Sequence, residues 1–333
     1  MRTLLLSSLL SSLLVSLMVL AACGARMADP AGTGSGSGSD PSCGAGLVEN
    51  PATGECVECV PGGAACPAGQ YCRPDDVCVA GCDADDQCGL DEGCCNHVCL
   101  DTTTLANCGA CGNTCAQGEF CDGTQCNAPT YPNFCANTTV YVIHDGITAD
   151  QNAADEMAST ITANCPSTVI VHTANQTDST LVDQTTGAPL AGAGVTYVFG
   201  GGPFANKPIK WLETTQLATK VYFAATDGVN FDWMTRTSAT PVASMPAASC
   251  STHADQFVTE LVTDSVSGTL NLVGYGACVG GKGTLAAAYY YANEILPHKA
   301  MYPDSWYVFG WADTNNNATP DAGDTFTILA HGL

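Results

Sequence analysis

The fold is decided by the stretch Thr139-Val140-Tyr141-Val142-Ile143-His144 and by the two segments that follow it. β-Branched and aromatic residues dominate this stretch, which predicts a strand. Residues 148–163 place apolar side chains at helical spacing, and residues 168–173 return to β-branched residues. A strand, a helix and a strand in this order predict a βαβ unit.

The same alternation continues towards the C-terminus. We predict further strands at residues 195–199, 220–225 and 269–273, helices at 207–217, 252–265 and 284–296, and a terminal pair of strands at 306–310 and 325–329. Strands that alternate with helices form a mainly parallel sheet covered on both faces. Residues 130–333 are therefore predicted to form a three-layer α/β domain with a mainly parallel sheet.

Cysteines set a second region apart, so the chain is predicted to be multidomain. Of the 21 cysteines, sixteen lie between Cys43 and Cys126, where Gly, Asp and Pro recur. Such a region is held by disulfides instead of an apolar core, and residues 43–126 are predicted to be a small disulfide-rich module. The disulfide candidates of the later domain are Cys135, Cys165, Cys250 and Cys278, with Cys278 expected to pair with Cys250.

Two Cys-x-x-Cys pairs offer an alternative to structural disulfides. Cys56 with Cys59, and Cys108 with Cys111, have the spacing of zinc or redox sites. A chain this rich in cysteine favours disulfides if it resides in an oxidising compartment. Leaving Cys23 aside, 20 cysteines remain, which predicts ten bonds.

The charge balance restricts the possible partners. Acidic residues number 32 and basic residues nine, for a net charge of −23. Nucleic acids and anionic lipid surfaces attract basic patches, so binding to either is disfavoured. Divalent cations are the natural ligands of such a chain.

The N-terminus has the pattern of a signal peptide, with Met1-Arg2, an apolar run and small residues at Val19-Leu20-Ala21-Ala22-Cys23. Leu20-Ala21-Ala22-Cys23 resembles the lipobox of bacterial lipoproteins. The resemblance implies removal of residues 1–22 and an acyl anchor at Cys23, which places the chain on a membrane, at the outer membrane or the cell surface. The alternatives are an ordinary secretory signal or an uncleaved membrane helix, and all three export the chain. Residues 23–42 are then the lipidated cysteine and a Gly/Ser tether.

The end of the cysteine-rich region carries a specific motif, Asn107-Cys108-Gly109-Ala110-Cys111-Gly112-Asn113-Thr114-Cys115. With Cys94-Cys95-Asn96-His97-Val98-Cys99 before it and Cys121-Asp122-Gly123-Thr124-Gln125-Cys126 after it, this motif resembles the Stig1-like cysteine-rich family. The spacing of Cys82, Cys88, Cys94, Cys95 and Cys99 is also similar to that of whey-acidic-protein modules.

Two glycine-rich motifs lie in the α/β domain, Val198-Phe199-Gly200-Gly201-Gly202-Pro203-Phe204-Ala205-Asn206 and Leu272-Val273-Gly274-Tyr275-Gly276. Together with Gly283-Thr284-Leu285-Ala286-Ala287-Ala288 they resemble α/β domains of S-layer-type surface proteins. The resemblance implies a structural or adhesive role in the cell envelope, with no catalysis. An envelope polysaccharide or protein would then be the partner.

A polar loop near the C-terminus has the spacing of a calcium loop. Over residues 313–324, oxygen-bearing side chains occupy positions 1, 3, 5, 9 and 12, and the carbonyl of residue 319 supplies position 7. The predicted ligands of a structural calcium ion are Asp313, Asn315, Asn317, Thr319, Asp321 and Asp324. The loop resembles those of dockerin and thrombospondin type 3 repeats, except that Ala318 replaces the turn glycine and Asp324 the bidentate glutamate. The alternative is a solvated hairpin loop.

Two aspartates follow predicted strands. Open α/β sheets bind ligands at the carboxyl ends of their strands, so His144, Asp145, Gly201 and Asp227 could line one crevice. This crevice indicates an alternative function, that of an extracellular hydrolase or a small-ligand-binding protein. Asp-Gly at both places is also an ordinary turn.

A near match to a phosphate-binding loop runs from Gly276 to Thr284, with Lys282 placed to reach phosphates. Gly283 occupies the position of the Ser or Thr that would hold magnesium. A glycine turn that lets a helix pack closely on the sheet is therefore favoured.

Overall fold

The computed structural model describes residues 43–62, 66–190, 194–224, 229–264, 266–278 and 281–333. The predictions for the signal peptide, Cys23, the tether and Asp227 lie outside these residues. Two compact units are present. The first consists of the described residues up to Cys66 together with Cys72–Cys78, and the second consists of Pro67–Tyr71 and Val79–Leu333.

The cysteine-rich region contains only short strands. They are β1 (Val48–Glu49), β2 (Cys56–Val57), β3 (Gln70–Cys72), β4 (Cys78–Ala80), β5 (Glu92–Cys95), β6 (Val98–Asp101), β7 (Phe120–Cys121) and β8 (Cys126–Asn127). Strands of two to four residues cannot form a core of their own, so covalent bonds must replace it.

Eight disulfides supply those bonds, each joining cysteines 11 to 16 residues apart. The pairs are Cys43–Cys56, Cys59–Cys72, Cys66–Cys78, Cys82–Cys94, Cys88–Cys99, Cys95–Cys111, Cys108–Cys121 and Cys115–Cys126. The predicted disulfide-rich region is confirmed. Neither Cys-x-x-Cys pair bonds internally, and no cysteine of these pairs remains as a thiolate for zinc.

The remaining elements build a larger sheet and its covering layers. In chain order they are β9 (Thr139–His144), α1 (Thr148–Asn164), β10 (Ile170–Asn175), β11 (Val195–Gly200), α2 (Lys207–Lys210), β12 (Val221–Ala224), β13 (Asn230–Thr235), β14 (Ala243–Pro246), β15 (Ala254–Thr263), β16 (Leu270–Gly276), α3 (Lys282–Tyr290), β17 (Trp306–Ala312) and β18 (Thr325–Gly332). π-Helical turns extend α2 through Trp211–Thr215 and α3 through Tyr291–Ile295.

The main sheet has seven strands in the order β10-β9-β11-β16-β15-β17-β18. β10, β9, β11 and β16 are parallel, as the βαβ pattern predicts. β15, β17 and β18 are each antiparallel to their neighbours. The sheet is therefore mixed, and the prediction of a mainly parallel sheet is wrong for its second half.

The error lies in residues 252–265, which were predicted to be helical and instead contain strand β15. Phe257 and Leu261 pack into one core, whereas Val258 and Val262 pack into the other. A spacing of four residues fits both the helical period and the two-residue period of a strand, so a strand buried on both faces resembles a helix in sequence.

Each face of the main sheet has its own cover. α1 and α3 pack on one face, with Met157, Ile161 and Tyr291 among the buried side chains. The other face is covered by α2 and by a small sheet of β12, β13 and β14, with Trp211 and Trp233 in that core. The predicted helical cover on both faces is thus wrong for this side, where a sheet does most of the covering.

Two further disulfides fasten the larger unit, Cys135–Cys165 and Cys250–Cys278, the second as predicted. All 20 cysteines after Cys23 are therefore paired, which indicates an oxidising, extracellular setting. Among the described residues, none of the helices has the length and apolarity needed to span a membrane.

Candidate functional site

The carboxyl ends of the parallel strands β9, β11 and β16 meet at one edge of the main sheet. A cavity of about 500 Å³ opens at this edge. Its described lining consists of Ile147, Asp150, Gly202, Pro203, Phe204, Ala205, Phe223, Phe231, Tyr275, Gly276, Ala277, Cys278, Gly281 and Thr284. The volume is within the range of sites for small organic ligands, about 300–1,000 Å³.

Asp150 supplies the charge of the cavity. It is the third residue of α1 and only 4% exposed, and its Oδ1 atom has no hydrogen-bond partner. Burial, reinforced by the neighbouring Asp145 carboxylate, raises the pKa of Asp150 to about 7. At neutral pH this carboxyl group is poised between its charged and neutral forms.

Asp145 follows β9 directly and forms a turn. Its Oδ1 atom accepts a hydrogen bond from the backbone N–H of Ile147 at 2.8 Å, whereas its Oδ2 atom is buried without a partner. The backbone N–H of Gly146 donates to His144 Nδ1 at 3.1 Å. The turn that the Asp-Gly sequence predicts is therefore present, and it brings Asp145 against Asp150.

Gly201 makes room for this pair. Its φ is +100°, and a β-carbon there would lie 2.7 Å from Asp150 Oδ2, closer than any real contact. Only glycine combines this backbone conformation with space for the carboxylate. The predicted crevice residues His144, Asp145 and Gly201 thus lie at one sheet edge, behind the cavity lining.

Sequence reasoning missed Asp150 and the aromatic residues of the site. Asp150 could have been found as an acidic residue in the first turn of the helix that follows the first parallel strand. Phe223 lies in the strand predicted at residues 220–225, but that strand belongs to the separate small sheet, and Phe231 lies in β13, which was not predicted.

The aromatic side chains form one wall of the cavity. The ring centroids of Phe223 and Phe231 are 5.3 Å apart, and those of Phe204 and Phe223 are 6.3 Å apart. Phe204 is 90% exposed. The wall is therefore a cluster of rings with one member at the open rim.

Tyr275 lines the cavity from β16 and connects it to a buried acid. Its hydroxyl donates a hydrogen bond to Glu213 Oε1. Burial raises the pKa of Glu213 to about 7, although the tyrosine hydrogen bond and Arg236 oppose the increase. This hydrogen bond fixes the ring of Tyr275 against the cavity.

The described residues of the turn after β16, 277–278 and 281–283, do not have the features of a phosphate site. A β-carbon at Gly276 would lie 2.4 Å from the α-carbon of Gly283, so the two glycines allow strand and helix to touch. Lys282 donates to the carbonyl of Ala318, away from any phosphate cradle. The buried carboxylate of Asp255 accepts the backbone N–H of Cys278 at 3.0 Å, and an acid so close to the turn opposes an anion. The glycine-turn interpretation is the one that fits.

The predicted calcium loop connects β17 to β18. Asn315 and Asn317 each direct their amide groups to the carboxylate of Asp321, at 2.9 Å and 2.6 Å. Asp313 accepts the backbone N–H of Ala318 at 2.6 Å. Ala318 has a φ of +59°, the left-handed conformation expected where calcium loops carry glycine.

Not every predicted ligand has free oxygen atoms. Asp324 accepts hydrogen bonds from Trp311 Nε1 at 2.9 Å and from the backbone N–H groups of Thr314 and Asp321. The side-chain oxygens of Asp313, Asn315, Asn317 and Asp321 are hydrogen-bonded as well, and Asp313 Oδ2 lies 2.5 Å from His253 Nδ1. Calcium would replace these bonds to gain the oxygen-rich set that it prefers, which includes the carbonyl of Thr319. Calcium binding stays a prediction.

Comparison of the chain with models of known families, with curated proteins and with solved structures finds no match. The proposal for its function therefore rests on the geometry of the site.

Proposed function

We propose that the chain is an exported, lipid-anchored surface protein whose α/β domain binds a small organic ligand in the strand-end cavity. The observation that carries the proposal is this cavity of about 500 Å³, with aromatic side chains on one wall and the buried carboxylate of Asp150 among its lining. A purely structural or adhesive envelope protein needs only a shallow edge lined by Gly and Ala. A cavity with an apolar wall and a few polar groups is the usual form of a ligand site.

Binding is favoured over hydrolysis because only one acid of the pair lines the cavity. Catalysis by two carboxyl groups requires both to reach the substrate. Asp150 lies in the lining, whereas Asp145 lies behind it with one oxygen held by Ile147. The pair is arranged to present one charge to a ligand.

Titration with N-phenyl-1-naphthylamine, a neutral fluorophore that brightens in apolar sites, tests the cavity. We expect saturable binding of one molecule per chain. Ala205→Trp places a large side chain in the lining and should abolish binding of the fluorophore. Leu90→Trp, at a position that is 93% exposed, should leave this binding unchanged. Equal binding by both variants would exclude this cavity as the site.

The lipid anchor is tested separately, because it depends on Cys23 alone. Cys23→Ser should prevent incorporation of labelled palmitate and release the chain from membranes, whereas Ser37→Ala in the tether should do neither. Normal maturation of the wild type in the presence of a signal-peptidase II inhibitor would exclude the anchor.

A further inference from the structure

The carboxyl pair of Asp145 and Asp150 lacks a positive partner. Asp150 Oδ1 and Asp145 Oδ2 are both buried, and neither accepts a hydrogen bond from any other residue; the two carboxyl groups bond to each other only when one of them is protonated. None of the ion pairs between described residues includes either acid. The first turn of α1 offers Asp150 only the partial charge of a helix N-terminus.

Among the described residues, no lysine or arginine reaches the pair from the cavity side. No lysine or arginine is present in the described lining, and Lys282 at its border donates to the carbonyl of Ala318. The internal segments outside the description, 63–65, 191–193, 225–228, 265 and 279–280, contain no Lys or Arg in their sequence.

A buried carboxylate without a partner is costly, and a positive charge beside it removes that cost. Below about pH 7 the retained proton of Asp150 removes this cost, and above that pH a cation from outside the chain would remove it. The net charge of −23 adds a general attraction for cations.

The aromatic residues of the lining indicate the kind of cation. Phe223 and Phe231 stand next to each other, Phe204 packs edge-on against Phe223, and Tyr275 completes the set. The faces of aromatic rings attract cations, and their apolar surface accommodates alkyl groups. A metal ion is a poor fit, because it needs about six oxygen ligands and the described lining offers one carboxylate.

We propose that the cavity binds an organic cation, an alkylated ammonium group that is held between the Asp150 carboxylate and the rings of Phe223, Phe231 and Tyr275. Asp145 acts as a positioning residue, since it adds negative charge behind Asp150 without lining the cavity. This inference rests on the proposed ligand-binding function and specifies its substrate class.

The test compares choline with 3,3-dimethylbutan-1-ol, which has the same shape and no charge. Calorimetric titration of the full chain, with its disulfides intact, should give an affinity for choline at least about tenfold higher than for the alcohol. Asp150→Asn should remove this preference. Asp155→Asn, the same charge change at an exposed position of α1, should preserve it.

The aromatic contribution has its own variant. Phe223→Leu retains an apolar surface without a ring face, so it should weaken choline binding about threefold more than binding of the alcohol. Equal losses for the two compounds would show that the wall acts only through its apolar area and would overturn this part of the proposal.

The outcomes separate the two proposals. If the alcohol binds as well as choline, or Asp150→Asn retains the preference, the cation inference is overturned. If the neutral fluorophore binds in the cavity and choline neither binds nor displaces it, the ligand-binding function stands and the cation class fails. If the fluorophore, choline and alcohol all fail to bind, both proposals fall.

Discussion

The carboxyl group of Asp150 lies against that of Asp145 at the end of β9, and the two share no basic partner among the described residues. Burial and the second carboxylate raise the pKa of Asp150 from 3.8 to about 7. Between these two pH values the folded chain retains a proton that the unfolded chain has lost. The stability from this group is therefore complete below pH 3.8 and is lost as the pH rises through 7.

Asp150→Asn removes the charge while preserving the shape of the side chain. At pH 8 the ligand-free variant should be more stable than the wild type by about 2 kcal/mol, because the wild type must maintain two adjacent buried charges. At pH 5 the difference should be smaller, since the folded chain then keeps the proton of Asp150 and only the unfolded chain has lost it. Urea denaturation at both pH values measures the effect.

Asp155→Asn serves as the control for that substitution. Asp155 is exposed on the same helix, so its replacement should change the free energy of unfolding by less than about 0.5 kcal/mol at either pH. A variant Asp150→Asn that is less stable than the wild type at pH 8 would show that the charge of Asp150 is already compensated.

The hydrogen bond from Tyr275 to Glu213 gives a second prediction. Tyr275→Phe leaves the Glu213 carboxyl group buried without this donor and should lower the free energy of unfolding by about 1–3 kcal/mol. The loss should be larger at pH 8 than at pH 5, because the pKa of Glu213 is about 7 and only the ionised form depends strongly on a donor.

Glu213→Gln separates the hydrogen bond from the charge. The amide oxygen of Gln can still accept a hydrogen bond from Tyr275, but the side chain carries no charge at either pH. In a Glu213→Gln background, Tyr275→Phe should therefore lower the free energy of unfolding equally at pH 5 and pH 8. If Tyr275→Phe has the same effect at both pH values, Glu213 is not ionising in this range.

The sequence predicted the βαβ unit and a crevice at the strand ends, where the structure has a cavity, because both depend on local patterns. The run of residues 139–144 and the helix after it have clear and different periods. The position of ligand sites in α/β sheets then follows from topology, so Asp145 and Gly201 could be placed at the correct edge.

The second half of the sheet could not be predicted in the same way. β15 is buried on both faces, and its spacing of apolar residues fits a helix as well as a strand. Asp150 was missed because its role depends on the space left by Gly201, which lies 51 residues further along the chain, in a stretch whose glycines look like those of any turn. Contacts of this kind have no local signature.

The disulfide Cys250–Cys278 joins stability to binding, because Cys278 lines the cavity. Replacing both cysteines by alanine opens a loop of 28 residues and should lower the free energy of unfolding by about 3 kcal/mol. Binding of the neutral fluorophore should weaken as well. Thermal unfolding and the fluorescence titration measure the two effects.

The second long-range disulfide provides a matched control. Cys135–Cys165 closes a loop of similar length, 30 residues, but Cys165 caps the far end of α1. That end is roughly 22 Å from Asp150 along the helix, at 1.5 Å per residue. Removal of the disulfide Cys135–Cys165 should lower the free energy of unfolding by a similar amount and leave fluorophore binding intact. Weakened binding in both variants would indicate a general loosening of the sheet.

The calcium loop makes a prediction that is independent of the cavity. Hydrogen bonds from Asn315, from Gly323 and from Asn317 lower the pKa of Asp321, so this carboxylate is ionised at neutral pH and can bind a cation. Millimolar calcium should raise the melting temperature of the wild type, and Asp321→Asn should remove the increase. Asp178→Asn, which alters a turn elsewhere on the surface, should retain the increase in melting temperature.

Because the calcium loop joins β17 to β18 at the edge of the sheet, calcium should also slow hydrogen exchange in those two strands. A melting temperature that is the same with calcium and with a chelator would leave the loop as a solvated connection between the strands.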